Sequence, residues 1–184
     1  MNLDVSCEVS GKSIYLRELS SEFVSDEYVG WMNDPEVTQY LESRYSSQSL
    51  ETVRAFVLSM KESSSNIFFG IFSKRIDKHI GNIKLGSINS FHSRADLGLN
   101  IGDKSFWGKG IAFESICLVR DYAFTQLVLQ KLYAGLYESN VGFKKAFLKA
   151  VFKVEGFLES HVIVDGRREG CFQLGLAKSG LINQ

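Results

Sequence analysis

The chain has 184 residues, of which 45% are hydrophobic, and its 21 Lys+Arg balance its 21 Asp+Glu to a formal net charge of zero. This length and hydrophobic content suit one domain with a full core. A neutral chain lacks the basic stripe of a dedicated nucleic-acid binder, and no apolar run reaches membrane-spanning length, so we expect neither partner.

The three cysteines, Cys7, Cys117 and Cys171, are far apart and odd in number. Their spacing gives neither a disulfide framework nor a metal-ligand pattern, so we expect buried free thiols at Cys117 and Cys171 and no metal. No secretory signal pattern is visible near the first residue. A reducing, cytoplasmic setting is the simplest interpretation.

The first half of the chain carries one strand pattern and three helix patterns. These cover residues 14–19 for the strand and 25–32, 34–41 and 50–60 for the helices. Asp34 precedes the single proline, Pro35, as an N-cap precedes proline at the first helical position. The polar residues 44–49 predict a loop. In the third helix, Leu50, Val53 and Val57 share one apolar stripe.

The second half predicts strands that alternate with two helices. The strands cover residues 67–72, 80–88, 96–102, 131–138, 156–164 and 170–178, and the helices 111–123 and 140–152. Short turns between the first three of these strands favour an antiparallel meander. Asn140 suits a helix cap, and Asp165-Gly166 is a strong hairpin signal. The whole chain is therefore predicted to have a mixed α/β (α+β) layout.

One stretch has the order strand, glycine-containing turn, helix. Gly108 and Gly110 lack a Cβ, so the backbone there can take a positive φ and let an anion approach closely. The first free N–H groups of the following helix point into the turn, which makes a phosphate its natural occupant. A bare Gly-x-Gly also suits a plain tight connection. The pattern is neither a P-loop nor a dinucleotide fingerprint.

The element order and this turn resemble the GCN5-related N-acetyltransferase (GNAT) family. That family has a Gln/Arg-x-x-Gly-x-Gly/Ala turn that binds the acetyl-CoA pyrophosphate. The matching residues here are Trp107, Gly108, Lys109, Gly110, Ile111 and Ala112. Trp107 takes the Gln/Arg position, and because backbone amides do most of the binding, we expect that change to matter little.

The resemblance implies one N-acetyltransferase domain over 1–184, with its core at about 14–178. It implies a mostly antiparallel, twisted central sheet of about seven strands flanked by helices, with strands four and five splayed apart. It also implies acetyl-CoA as co-substrate and acetyl transfer to a primary amine by direct attack in a ternary complex, in a monomer or homodimer.

Finer details resemble the branch of ribosomal-protein alanine acetyltransferases, which also includes amino-sugar acetyltransferases. They are the stretches 31–37, 80–83 and 95–104, which leads into Trp107. The acceptor stays open at this point, and a nucleotide-linked amino sugar and a protein N-terminal amine are the leading choices. Zero net charge favours the small molecule slightly, because a ribosomal target would favour complementary charge.

The second helix after the turn departs from the family pattern. Phe143 stands where the family commonly has Ser, and Phe147 where it often has Tyr. Neither ring can protonate the leaving thiolate. Either another residue or water does so, or the activity is impaired, and an acyl-CoA-binding sensor or scaffold is the alternative from another functional class.

In the resembled family, a backbone N–H of the fourth strand polarises the thioester carbonyl, at a bulge that splays this strand from the fifth. Here that segment is Leu99, Asn100 and Ile101, and Asn140 is the further expected cofactor contact. The candidate bases are Glu138, which ends the fifth strand, and Asp96 on the fourth. Ordinary solvated or salt-bridged carboxylates are the alternative for both.

Aromatic residues occupy the helix-loop region that covers the acceptor site in the resembled fold. Trp31, Tyr40 and Tyr45 either stack on the acceptor or simply pack. His92, in a loop between strands, is expected to contact the acceptor, and it rivals the two carboxylates as the base because an imidazole titrates near neutrality. A surface imidazole is the alternative interpretation of His92.

Overall fold

The computed structural model describes residues 8–182. Its strands are β1 (Val9–Ser10), β2 (Ile14–Glu18), β3 (Ile67–Ser73), β4 (Lys78–Asn89), β5 (Arg94–Ile101), β6 (Lys131–Tyr137), β7 (Lys153–Val164) and β8 (Arg167–Ala177). Its α-helices are α1 (Asp26–Asn33), α2 (Pro35–Thr38), α3 (Leu50–Lys61), α4 (Ile111–Thr125), α5 (Val141–Lys149) and α6 (Ser179–Ile182).

Within residues 8–182 the strands form one eight-stranded sheet in the order β1-β2-β3-β4-β5-β6-β8-β7. The predicted meander is confirmed, since β2 to β5 pair in sequence order and antiparallel. Eight strands rather than about seven are present because the two-residue β1 adds to β2, with Val9 opposite Leu16. The mixed α/β layout predicted from the sequence is also confirmed.

The parallel pair β5–β6 is where the sheet opens. It holds only from Arg94↔Lys131 to Asp96↔Tyr133, and beyond Asp96 the two strands separate. They are the predicted fourth and fifth strands, so the predicted splay is confirmed. β6 is paired along its whole length with β8, which draws it away from β5. The helix α4 lies in the crossover between the two parallel strands.

The prediction of a β-bulge at Leu99–Ile101 is wrong. The register between β4 and β5 runs without a shift from Gly81↔Ile101 to Gly86↔Asp96, and the one irregularity lies near the other end of β5. The gap therefore lies between the regular part of β5, Asp96–Ile101, and a β6 that pairs with β8.

Two apolar clusters flank the sheet. The main core includes Leu99 and Ile101 of β5 together with Ile116 and Val119 of α4. A second cluster covers the opposite face near β2 and β3, where Trp31 belongs to it. The outer face of β5 and β6 lies beyond the residues of this second cluster.

Two helices end earlier than predicted, for identifiable reasons. After α2, Leu41 is extended and a 3₁₀ turn at Glu42–Tyr45 replaces the predicted continuation and part of the predicted loop. The helix α5 ends at Lys149 because Val151 takes a φ of 65°, outside the helical region. The Asp165-Gly166 hairpin turn is confirmed, with positive φ at both residues.

The two described cysteines are free thiols, with Cys171 buried and Cys117 half-buried. Cys7 lies outside the described residues. Among residues 8–182, no helix has both the length and the apolar composition needed to cross a bilayer.

Candidate active site

The turn before α4 depends on two left-handed glycines. Gly108 has φ 71° and Gly110 has φ 79°, values that strain any residue with a Cβ. Neither glycine has another atom within 4 Å of the place where a Cβ would stand. Glycine is therefore needed here for its backbone conformation, and the space beside the turn is open to a ligand.

The N-terminus of α4 is left without internal hydrogen-bond partners. Gly110 is its N-cap and offers no side chain. Within residues 8–182, the N–H groups of Ile111, Ala112 and Phe113 have no acceptor at normal hydrogen-bond geometry. Free N–H groups and the positive end of the helix dipole meet at this point, which suits a phosphate group.

The acidic side chain in the first turn of α4 is directed elsewhere. Glu114 accepts from the backbone N–H of Ser13 at 2.8 Å and from the Ser13 hydroxyl. Burial alone would raise the pKa of Glu114, but these hydrogen bonds outweigh it and leave the pKa below its usual value. The carboxylate therefore binds the β1–β2 turn and accepts from none of the free N–H groups of Ile111, Ala112 and Phe113.

Trp107 links the glycine turn to the end of β5. Its indole Nε1–H donates to the backbone carbonyl of Ile101 at 2.8 Å, while 41% of the residue stays exposed. Gln and Arg, the family's residues at this position, are also hydrogen-bond donors. The departure from the family pattern thus keeps a donor in place, and it gives Trp107 a contact that sequence reasoning did not anticipate.

The edge of β5 that faces the gap can be identified from the register. The N–H of Gly102 donates to Ile80 of β4, and in an antiparallel pair such bonds fall on alternate residues. Asn100 therefore turns its peptide groups to β4, whereas Leu97, Leu99 and Ile101 turn theirs to the gap. Of the three residues predicted for carbonyl polarisation, Leu99 and Ile101 present a backbone N–H there and Asn100 does not.

The outer face of β5 carries polar side chains that lack partners. Asp96 Oδ1 and Asn100 Oδ1 are buried and accept no hydrogen bond from the residues that the structure describes. Between them, Gly98 leaves open space, with no atom within 4 Å of its Cβ position. Buried acceptors without donors are rare in proteins, and an amine or ammonium group would satisfy them.

Glu138, the other candidate base, is held by β8. Its Oε2 accepts from the N–H of Gly170 at 3.1 Å, and its own N–H donates to the Gly170 carbonyl at 2.9 Å. The structure thus does not bring Glu138 and Asp96 together, since Glu138 contacts β8 and Asp96 lies on β5.

A cleft of about 530 Å³ lies near the open end of the gap. Its walls come from α1, α2, the chain that follows them and the β7–β8 hairpin, and its lining includes Met32, Gln39, Arg44, Tyr45, Ile163 and Asp165. Met32 also contacts Asn100, since the Asn100 amide lies 3.8 Å from the Met32 sulfur. Met32 therefore connects the wall of the cleft with the outer face of β5.

Of the predicted acceptor residues, Tyr45 lines this cleft, and Tyr40 lies outside its lining. Tyr45 is 67% exposed. Tyr40 donates from its hydroxyl to the Ser139 carbonyl at 3.1 Å, and its ring meets the edge of the Tyr137 ring. Burial, together with a hydrogen bond to Glu42, raises the pKa of Tyr137. Tyr137 therefore stays a neutral hydroxyl.

The other two predicted acceptor residues lie elsewhere. Trp31 is buried, and its ring fills the place where a side chain on Gly102 would stand, which supports the packing interpretation. His92 is exposed in the turn that precedes β5. β5 has 8 residues, which puts its ends about 23 Å apart, so His92 lies far from the open end of the gap.

The helix α5 supplies no hydroxyl where the family often has one. Asn140 is buried and caps α5 by accepting from the N–H of Phe143 at 3.3 Å. Phe147 is fully buried, with its ring edge-on to Phe152. Arg44 and Glu42, which contact Tyr137, were not singled out from the sequence. Their serine-rich surroundings look like an ordinary polar loop.

Comparison with known proteins adds the following findings. The family model described as "Acetyltransferase (GNAT) domain" matches residues 13–153. An "uncharacterized N-acetyltransferase" of Bacillus licheniformis is 29% identical over 157 residues, which cover 84% of this chain and 87% of that protein.

Two solved structures share the fold. The spermidine N-acetyltransferase of Vibrio cholerae, in complex with CoA and spermine, has a TM-score of 0.84 at 21% identity and covers 94% of this chain and 100% of its own. A ribosomal-protein-S5-alanine acetyltransferase from Vibrio fischeri has a TM-score of 0.80 at 18% identity and covers 93% and 96%. At these identities the likeness is one of fold alone.

Proposed function

The chain belongs to the GNAT acetyltransferase domain family, and we propose on that premise that it transfers the acetyl group of acetyl-CoA to the primary amine of a small acceptor. The proposal rests on two neighbouring features, the free N–H groups at the start of α4 and the free edge of β5. The N-terminus of α4 has free N–H groups, and Trp107 ties the preceding turn to the strand whose free edge borders the gap. Together they suit a phosphate-bearing cofactor whose arm runs along β5.

In the reaction, the amine nitrogen bonds to the thioester carbonyl carbon, the carbon–sulfur bond breaks, and the electron pair leaves on the thiolate, which takes up a proton. The N–H groups of Leu99 and Ile101 lie where they can donate to the carbonyl oxygen as it gains charge. Holding the amine against the thioester supplies much of the acceleration, so a weak general acid is tolerable.

Asp96 is the base that we propose for the attacking amine. Its unpartnered Oδ1 is buried beside Gly86 of β4, and its side chain lies on the same face of β5 as that of Asn100, which contacts Met32 of the cleft wall. A carboxylate there both attracts an ammonium ion and accepts its proton, directly or through water. Glu138 is the weaker candidate because its carboxylate is already bound to the Gly170 N–H.

The lining of the cleft favours an amine without a diphosphate. Among the described residues that line it, Arg44 is the one cation, and its N–H groups already bind protein oxygens. A nucleotide-linked amino sugar, which the sequence favoured, would need free donors for its phosphates. A compact or linear amine suits the polar, mostly uncharged lining better.

A substitution in the glycine turn tests the cofactor site. Gly110→Asp places a carboxylate at the N-terminus of α4, and calorimetry should show that acetyl-CoA binding is lost while the fold is retained. Gly166→Asp is the matched control, because Gly166 also has a positive φ of 76° and open space around its Cβ position. Both variants carry the same backbone strain, about 1 kcal/mol. Unchanged affinity in Gly110→Asp would rule out this site.

A further inference from the structure

We propose that Arg44 closes a ring of contacts over the mouth of the acceptor cleft, and so determines which amines reach the gap. The strap is defined here as residues 40–45, which connect α2 with the loop before α3. This inference rests on the proposed function, and it concerns acceptor size, which that function leaves open.

The guanidinium of Arg44 donates hydrogen bonds to four groups. Nη1 donates to the Leu41 carbonyl at 3.0 Å and to the Tyr137 hydroxyl at 3.2 Å. Nη2 donates to the Ile163 carbonyl at 3.0 Å and to the Tyr45 hydroxyl at 2.5 Å. Only 15% of the side chain is exposed. One guanidinium therefore joins the strap, the end of β6 and the β7–β8 hairpin.

Other residues of the strap also form hydrogen bonds to the β7–β8 hairpin and to the end of β6. The Tyr45 hydroxyl donates to the same Ile163 carbonyl at 3.3 Å. The Tyr137 hydroxyl donates to Glu42, and Tyr40 reaches the Ser139 carbonyl beyond β6. Each of these bonds joins the strap to residues about a hundred positions away in the chain. They are the contacts expected of a bridge between two walls.

The position of Ile163 explains how the bridge forms. Within residues 8–182, β7 is an edge strand that pairs with β8 alone, so its outer carbonyls have no strand partner there. Arg44 and Tyr45 together satisfy one of them, close to the Asp165-Gly166 turn. The rigid hairpin thus gives the strap a fixed point of attachment.

A closed ring of contacts at the mouth of the cleft selects acceptor amines by their width. The residues that line the cleft come from both sides of this bridge, Gln39 and Arg44 from one side and Ile163 and Asp165 from the other. A slender, unbranched primary amine can pass beneath the guanidinium, whereas an amine with bulky groups near its nitrogen meets the rim. Arg44 is therefore a specificity-determining residue that acts through Ile163 and Tyr137, without touching the reacting atoms.

The test compares two acceptors, diaminobutane and a short peptide with a free N-terminal alanine. Wild type should favour diaminobutane. In Arg44→Ala, the ratio of kcat/KM for the peptide to that for diaminobutane should rise about tenfold, the scale of a small steric barrier in a binding pocket. Tyr45→Phe, which removes one bond to Ile163, should give a smaller rise. The KM for acetyl-CoA should stay unchanged in both variants.

Arg75→Ala is the matched control, since Arg75 lies exposed in the turn between β3 and β4. If Arg44→Ala does not fold, Arg44→Lys, which keeps the charge but loses the forked geometry, provides the same comparison. An unchanged acceptor ratio in folded variants overturns the inference while leaving the proposed function intact. A wild-type protein that neither binds acetyl-CoA nor acetylates either amine overturns both.

Discussion

The indole Nε1–H of Trp107 donates a 2.8 Å hydrogen bond to the carbonyl of Ile101, the last residue of β5. Ile101 turns its peptide groups toward the gap, so this bond joins the glycine turn to the edge of β5 that borders the gap. The bond thereby fixes the distance between the glycine turn, which suits a phosphate, and the free edge of β5, which suits the thioester.

Replacing Trp107 with Phe should therefore impair the chemical step more than cofactor binding. The ring is kept but the donor is lost, and a hydrogen bond of about 1 kcal/mol corresponds to a roughly fivefold fall in kcat. Calorimetry should find the affinity for acetyl-CoA within about twofold of wild type. Trp107→Gln retains a donor and should recover most of the rate. A Gln variant as slow as the Phe variant would contradict this role.

Asp96 and Glu138 should respond differently to loss of charge. Asp96→Asn should lower kcat on the order of a hundredfold, the usual contribution of a general base, with the fold retained. Glu138→Gln still offers an oxygen to the Gly170 N–H, so its kcat should stay close to wild type. Steady-state rates of thiol release, with circular dichroism as the check on folding, measure both. The opposite ranking would move the base to Glu138.

Acid should weaken the anchoring of β2 to α4 through Glu114. Its folded-state pKa lies below the ordinary value of 4.5, so the carboxylate stabilises the fold at higher pH. That contribution is lost as the pH falls below 4.5 and through the folded-state pKa. In Glu114→Gln, the melting temperature should fall less steeply across this acidic range. Parallel curves for the two proteins would show that Glu114 contributes nothing.

Local signals predicted most of the fold. Asp34 and Asn140 cap their helices with side-chain hydrogen bonds, as predicted. The meander and the last hairpin followed from short turns. The early end of α5 was not predictable, because Val151 adopts a positive φ that a β-branched residue rarely takes.

The candidate site was predictable only in part. The glycine turn was found because positive φ has a direct sequence signature, and both glycines do take it. The bridge through Arg44 was missed because its partners, Tyr137 and Ile163, lie far along the chain and no local pattern pairs them with the strap. The sequence does not show which neighbouring strand hydrogen-bonds to each peptide group of β5. Asn100 was therefore wrongly predicted to turn its N–H to the gap.

The division of the sheet at the gap has a consequence for how the molecule responds to heat. Among residues 8–182, strands β1–β5 and β6–β8 share three register pairs, and the common core with α4, together with the contacts of the strap, supplies the remaining cohesion between them. A ligand bound between β5 and β6 would connect the two parts of the sheet. The melting temperature should then rise with the occupancy of the gap, and without ligand the two parts should separate there before either one unfolds.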